Sequence, residues 1–447
     1  MRWVWIGLVL SVAACTATPP PPPLPTPTTT VNAVVPPVPM GDWQTFNRTN
    51  QRDGEQPDLA SLGSLSSAWH TRLDGAVYGQ PLIVGDQVLA ATQGDTVYSL
   101  DAATGKVRWQ THLGTPMPRR GLPCGDIDPV GIIGAMAYDR FTGRVFAVAE
   151  TAGGSHTLVG LDLDTGTVEV RAGVDPPKGD TTAYLQAGAL TVNDGRVFIT
   201  YGGLTGGCGN YVGTVLSIRT DGTDAHSYTV PTRRKGGFDG PAGGVVDNSR
   251  LLYAAGGGVS TGGEYDDSDA VLALAAERLN RIDIFTPPTW GDDNANNLDL
   301  GATSPAMLGS HVAVTGNRGI TYVLDESDLS HVTSQLSTCP SQGAPLALNN
   351  MLVIPCASPM AFLCDNAGRL TPLWTAPVAA SGSPTSGGDA VWVVDPAGGI
   401  LYALAVTTGA VRGQVQIGPT PHYASASLSR DHAYVGTMDG VAAVAGA

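Results

Sequence analysis

DTVYSLDAATGKVRWQTHLG, residues 95–114, reads as strand, tight turn, strand. Val97, Ser99 and Asp101 alternate with Tyr98 and Leu100, the period of two of a half-buried strand. Asp101 to Gly105 supply the turn: a carboxylate able to accept backbone N–H bonds, and a glycine free to adopt positive φ. Val107 to Leu113 form the return strand, with Trp109 as its large packing residue.

Weaker copies of this unit follow as LDLDTGTVEV (161–170), LSIRTDGTDAH (216–226), LDESDLSHV (324–332), CDNAGRLTPLW (364–374) and LYALAVTTGAVRG (401–413). Upstream of most lies a second hairpin, as in PLIVGDQVLAAT (81–92), LTVNDGRVFITY (190–201), VVDNSRLLYAAG (245–256) and GGDAVWVVD (387–395). Two hairpins make a four-stranded unit. First strands start at Pro81, Met136, Leu190, Gly243, Pro305, Pro345, Pro384 and Ala426, at intervals of 55, 54, 53, 62, 40, 39 and 42 residues. Four strands repeating every roughly 40–50 residues describe a propeller blade. An Ala-rich stretch at 273–279 is the one candidate helix.

The eighth unit holds only three strands before the chain ends. The missing fourth lies at the other end, where Trp69 and Leu73 fall in register with Trp109 and Leu113. The expected fold is therefore all-β: an eight-bladed propeller of four-stranded blades over residues 43–447, its last blade closed by an N-terminal strand so that no sheet edge stays exposed.

LDAATGKVRW, with its Asp101, Gly105 and Trp109, resembles the tryptophan-docking repeat of quinoprotein-dehydrogenase-like propellers. That superfamily contains pyrroloquinoline-quinone (PQQ) dehydrogenases and the BamB-type assembly lipoproteins. The resemblance implies that Trp109, Trp374 and Trp69 pack between adjacent blades. It also implies a question of chemistry, because the family's dehydrogenases commonly clamp the quinone with a disulfide between adjacent cysteines and use Ca²⁺ and an aspartate base. No two cysteines are adjacent in this chain.

The opening residues read as an export signal: Arg2, an apolar run from Trp3 to Val12, then Ala13-Ala14-Cys15. This resembles a bacterial lipobox, in which Cys15 would carry the lipid. Residues 15–42, rich in Pro and Thr, cannot build a core and read as an extended tether. The expected location is the outer side of the cell membrane, with the lipid as anchor. A net charge of −15 argues against nucleic acid and against anionic membrane surfaces as partners.

Exported proteins form disulfides. In a propeller, the loops entering the blades and those between second and third strands share one face, here called the top. Phasing puts Cys124, Cys208, Cys339 and Cys356 on top and Cys364 near the bottom. Cys124–Cys208 and Cys339–Cys356 are the expected pairs, with Cys364 free; four cysteines allow three connectivities.

Acidic clusters at Glu264, Asp266, Asp267 and Asp269, and at Asp292, Asp293 and Asp299 with Asn294, Asn296 and Asn297, lack the spacing of a calcium loop and read as solvated turns. The eight histidines show no zinc spacing, and no nucleophile elbow or phosphate loop is present. The top face offers Asp126 and Asp128, in PCGDIDPVGI (123–132), and Asn297 and Asp299 as candidate binding residues. The resulting expectation is a monomeric binding or assembly scaffold holding an envelope protein or cell-surface polymer, without a cofactor. The alternatives are a PQQ-dependent oxidoreductase, which would bring PQQ and Ca²⁺, and a sugar- or peptide-binding module.

Overall fold

The computed structural model describes residues 1–3, 37–61 and 63–446. All but the first three residues of the export signal, Cys15 and all but the end of the tether lie outside the described residues. Residues from Val38 onward form the unit described below.

Eight sheets make eight blades of four antiparallel strands, seven of them in sequence order and the eighth drawing its fourth strand from the N-terminal side. Their first strands begin at Leu82, Ala137, Thr191, Val245, Ala306, Leu346, Thr385 and Ser427. Every one lies within two residues of the start read from the sequence. The eighth blade is completed by Ser66–Arg72, which pairs antiparallel with Gly440–Ala445 and sets Trp69 opposite Ala443. In blade 1, Trp109 stands opposite Ser99 in the same way.

Second and third strands are buried along almost their whole length, as in Gln87–Ala91 and Thr96–Asp101. Each blade packs face to face on two neighbours, so both faces of these strands meet apolar side chains. Outer strands such as Val107–His112 alternate between exposed and half-buried residues. The largest core cluster joins Trp392 of blade 7, Tyr434 of blade 8 and Tyr98 of blade 1, which closes the ring by packing as well as by hydrogen bonds.

One docking geometry recurs at three blade junctions. The indole N–H groups of Trp69, Trp109 and Trp374 donate to the carbonyls of Ala102, Leu163 and Val406 in the turn of the next blade, at 3.0, 2.9 and 2.8 Å. The rings lie against Gly105, Gly166 and Gly409, where a Cβ would come within 2.6, 2.4 and 2.6 Å of a ring atom. Asp101 shapes the first of these turns by accepting from the Thr104 N–H at 3.0 Å.

Three local features depart from the sequence reading. Residues 273–279 are not helical: strand Ala270–Ala275 runs into a turn in which Leu279 takes φ 59°. Among the described residues the α-helix is instead Trp290–Asn296, ended by Asn297 in the left-handed conformation. The acidic loops are not simply solvated, because Asp269 and Asp293 are buried, and Asp269 accepts from the Leu300 N–H at 2.9 Å.

Cys124 is bonded to Cys208 and Cys339 to Cys356. Cys364 is free and buried.

Candidate functional site

The first strand of each blade faces the channel with an unpaired edge, so its backbone groups need partners. Residues 42–60 supply them at several blades. Trp43 exchanges two backbone bonds with Ile83 of blade 1, at 2.7 and 2.9 Å. The Gln44 carbonyl accepts from Tyr138 of blade 2, and the Asn50 carbonyl from Val246 of blade 4, each at 2.8 Å. Glu55–Gln56 then lies parallel to the first strand of blade 7, and Gln56 Nε2 donates to Leu428 O of blade 8 at 2.8 Å. Asp42, read from the sequence as the end of the tether, already belongs to this segment, accepting from the Gly85 N–H at 2.9 Å.

At the turn of the segment, Phe46 is packed in a ring of Ala135, Ala189, Ala242 and Ala344, contributed by blades 2, 3, 4 and 6. Below it Arg52 is buried with its guanidinium bonded to neutral oxygens only: Thr45 Oγ1, Phe46 O, Leu190 O and Thr191 Oγ1. Burial pulls its pKa down to about 9. Gln80 fastens the segment from above. Its Oε1 accepts from the Trp43 indole at 2.9 Å and the Asn47 N–H at 2.8 Å, while its Nε2 donates to Ser425 Oγ at 2.9 Å.

Above Phe46 a cavity of about 520 Å³ opens on the top face. Its wall includes Tyr78, Gln80, Asp126, Ile127, Leu185, Thr205, Gln342, Thr420, His422, Tyr423 and Met438. Tyr423 sits at φ 63°, and its hydroxyl donates to Gln342 Oε1 at 2.9 Å, a bar between the loops entering blades 8 and 6. Burial, then the charge of Asp126, raises the pKa of Tyr78; burial, then Asp239 and Asp126, raises that of Tyr423.

Asp239 and Asp299 form a second feature of the top. Asp239 accepts from the Gly203 N–H and Asp299 from the Gly301 N–H, both at 3.0 Å. Gly202 must lack a side chain here, since a Cβ would come 1.6 Å from Asp239 Oδ1. Burial, then the charge of Asp299, pushes Asp239 up to about 7. Asp299 is raised too, first by burial.

Of the four candidate binding residues, Asp126 reaches the cavity wall. Asp128 is exposed and caps the short turn Arg119–Gly121, which precedes it in the chain, by accepting from the Arg119 N–H at 3.1 Å. Asn297 ends the helix, and Asp299 stands beside Asp239 rather than in the cavity. Sequence reasoning missed Phe46, Gln80 and Tyr423. Phe46 precedes the first repeat, and the other two occupy loops where the repeat leaves no pattern. The aromatic pair Trp43 and Phe46, just past a Pro-rich stretch, was the available signal.

Residues 59–203 match a family model described as outer membrane protein assembly factor BamB, a PQQ repeat. The quinone-dependent alcohol dehydrogenase subunit of Gluconacetobacter polyoxogenes is 29% identical over 203 residues, 43% of this chain and 26% of that protein. A polyvinylalcohol dehydrogenase of a Pseudomonas species is 23% identical over 338 residues, 68% of this chain and 50% of that protein. The match thus spans about a quarter of the length of the quinone dehydrogenase subunits. Among solved structures, the quinohemoprotein alcohol dehydrogenase of Comamonas testosteroni superposes with a TM-score of 0.68 at 15% identity, over 90% of this chain and 80% of that one. BamB of Moraxella catarrhalis gives 0.62 at 15% identity, over 85% and 99%. At these identities the superpositions show the fold alone.

The sequence relatives correct the expectation that no cofactor is involved, since several of them are quinone dehydrogenases by name. That expectation rested on the missing adjacent-cysteine clamp, and one missing device does not separate this chain from them. The cavity wall itself matches PQQ poorly. PQQ carries three carboxylates, while the wall supplies neutral donors, His422 and the acid Asp126, but no Arg or Lys. Gln80 is already fully bonded. No reaction step is therefore drawn through the quinone at this cavity.

Proposed function

We propose that this PQQ-repeat propeller is a binding or assembly component of the cell envelope. It is exported, anchored by a lipid on Cys15, and held off the membrane by residues 15–42. A partner protein or cell-surface polymer is received on the top face, at the cavity beneath the Tyr423–Gln342 bar. The observation that carries this reading is the seal under that cavity. Phe46 in its alanine ring and the bonded segment around it fill the channel from below, so the cavity accepts a ligand from the top alone. A rigid rim with a closed floor and aromatic, amide and hydroxyl groups on its wall suits recognition. The BamB description of the matching family supports the same reading.

A second reading, a quinone-linked oxidoreductase, is favoured by Asp239. A carboxyl that titrates at about 7 suits a general base, and the named quinone dehydrogenases among the relatives point the same way. Titrating the purified protein with PQQ and Ca²⁺, followed by absorption and dye reduction, separates the two. Stoichiometric quinone uptake with alcohol-dependent dye reduction supports the oxidoreductase. In vivo cross-linking from the top rim to a discrete envelope component, with no quinone uptake, supports the binding component.

A further inference from the structure

The wall of the top-face cavity carries an acid with nothing opposite in sign to answer it. Asp126 stands on the wall, and neither arginine nor lysine does. Two tyrosines of the same wall feel its charge. At Tyr78 it acts second to burial; at Tyr423 it acts after burial and Asp239. Asp126 is therefore within electrostatic reach of both rings, and Asp239 adds to the same negative field. The loop that carries Asp126 is fixed two residues earlier by the Cys124–Cys208 disulfide.

A second, independent feature points into the cavity. Thr420 is 7% exposed, and its Oγ1 is buried with no hydrogen-bond partner. It is the one wall side chain with a buried polar atom left unbonded. The neighbouring polar groups are already used: Gln80 is bonded at both ends, Ser425 Oγ accepts from Gln80, and the Tyr423 hydroxyl donates to Gln342. A buried hydroxyl in this state gains from a ligand that brings its own donor.

The rest of the lining is largely apolar, with Ile127, Ile133, Leu185 and Met438 among it. An aliphatic stem ending in a charged donor matches this combination. Long basic side chains bury their methylenes on apolar surface, their heads are attracted to the faces of aromatic rings, and they form charge-assisted bonds to carboxylates. A cavity of about 520 Å³ holds such a side chain together with its flanking residues. The chain's net charge of −15 draws a basic partner toward it.

We infer that the cavity receives an arginine or lysine side chain of a partner protein, its charged head held by Asp126 and the rings of Tyr78 and Tyr423, and its N–H donated to Thr420 Oγ1. This rests on the top-face reading above and narrows it, from protein or polymer to a protein segment that presents a basic residue.

The test uses the purified full chain at pH 8 and low salt. The probe is Nα-acetylarginine amide, with its neutral isostere Nα-acetylcitrulline amide as reference, both read by saturation-transfer difference NMR. The expected result is transfer to the arginine amide, with the citrulline amide bound roughly tenfold more weakly, the scale of one charge-assisted hydrogen bond at an open site. Asp126→Asn should bring the two probes level, and added salt should narrow the gap. Asp194→Asn makes the same change in net charge at an exposed bottom turn, where φ 49° suits asparagine, and should leave the preference intact. Equal melting of the two variants separates lost binding from misfolding. Equal binding of both amides to the wild type, transfer to neither, or an arginine preference that survives Asp126→Asn overturns the inference. Those results leave the top-face reading standing; it fails separately, if the top rim captures no envelope component in cells.

Discussion

The indole nitrogen of Trp69 donates to the carbonyl of Ala102 at 3.0 Å. Trp69 belongs to an N-terminal strand that completes blade 8, and Ala102 to the turn of blade 1, so this contact lies at the point where the ring closes. Thr71 adds a second bond from its hydroxyl to Gly105 O at 2.7 Å. The same pair of bonds joins Trp109 and Thr111 to Leu163 and Gly166 at the next junction. Closure thus reuses the docking geometry of an ordinary blade interface.

Deleting residues through Leu73 removes both the closing strand and the channel segment. Gly440–Ala445, now buried, becomes an exposed edge strand. The truncated chain should aggregate on purification, as read by light scattering. A monomeric, cooperatively melting truncation would show that closure is dispensable.

Gly166→Ala tests the docking turn. Gly166 takes φ 69°, and the added Cβ would come 2.4 Å from Trp109 Cε3. Left-handed backbone strain and the clash together should destabilise by more than ~1 kcal/mol. Gly143→Ala, at φ 70° with nothing within 4 Å of the new Cβ, isolates the backbone part. Equal losses in denaturant titration would mean that the indole contributes no packing there.

Phe46→Ala empties the centre of the alanine ring. A buried Phe→Ala change costs ~3–5 kcal/mol, and here it also opens the floor of the cavity. A melting temperature close to wild type would show that the segment does not seal the channel.

Stability should fall as pH rises through neutrality. Asp95 and Asp239 have folded pKa values of about 8 and about 7, against an ordinary 3.8. The native state therefore binds more protons than the unfolded state across this window, and stability present below pH 4 is lost as pH rises through the folded values. Acids held low work the other way: Asp86 and Asp101, chiefly through hydrogen bonds from Arg108, contribute stability that is lost as pH falls through their folded values, below the ordinary 3.8. The melting temperature should peak near about pH 5, and Asp239→Asn should flatten the alkaline limb. A melt independent of pH between 5 and 8.5 would remove the basis for treating Asp239 as a carboxyl of raised pKa.

Cys15→Ser tests the anchor. The variant should leave the membrane fraction or accumulate unprocessed, and the wild type should take up a lipid label. Membrane retention of the variant without labelling of the wild type would remove the anchor from the account.

The ring was legible because blades repeat: apolar alternation phased the eight first strands, and Trp69 aligned with Trp109 in the sequence itself. The cysteine pairs followed from that phasing, since it put four sulfurs on one face. The cavity was not legible. Its floor comes from Phe46, which belongs to no repeat, and its bar joins Tyr423 to Gln342 across two loops far apart in sequence. The buried acids misled for a related reason. Asp269 and Asp293 look like turn residues in sequence, and only tertiary packing shows that Leu300 and Arg318 enclose them.

Binding through the top face is the central claim, and photo-cross-linking in cells tests it most directly. A photoreactive residue placed at Met438, on the cavity wall and 43% exposed, is compared with one at Phe141, 72% exposed in the turn between the first two strands of blade 2, on the bottom. The account predicts a discrete envelope adduct from Met438 and none from Phe141. Equal labelling from both positions, or no adduct from Met438 in a protein that takes up PQQ stoichiometrically and reduces dye, would contradict it.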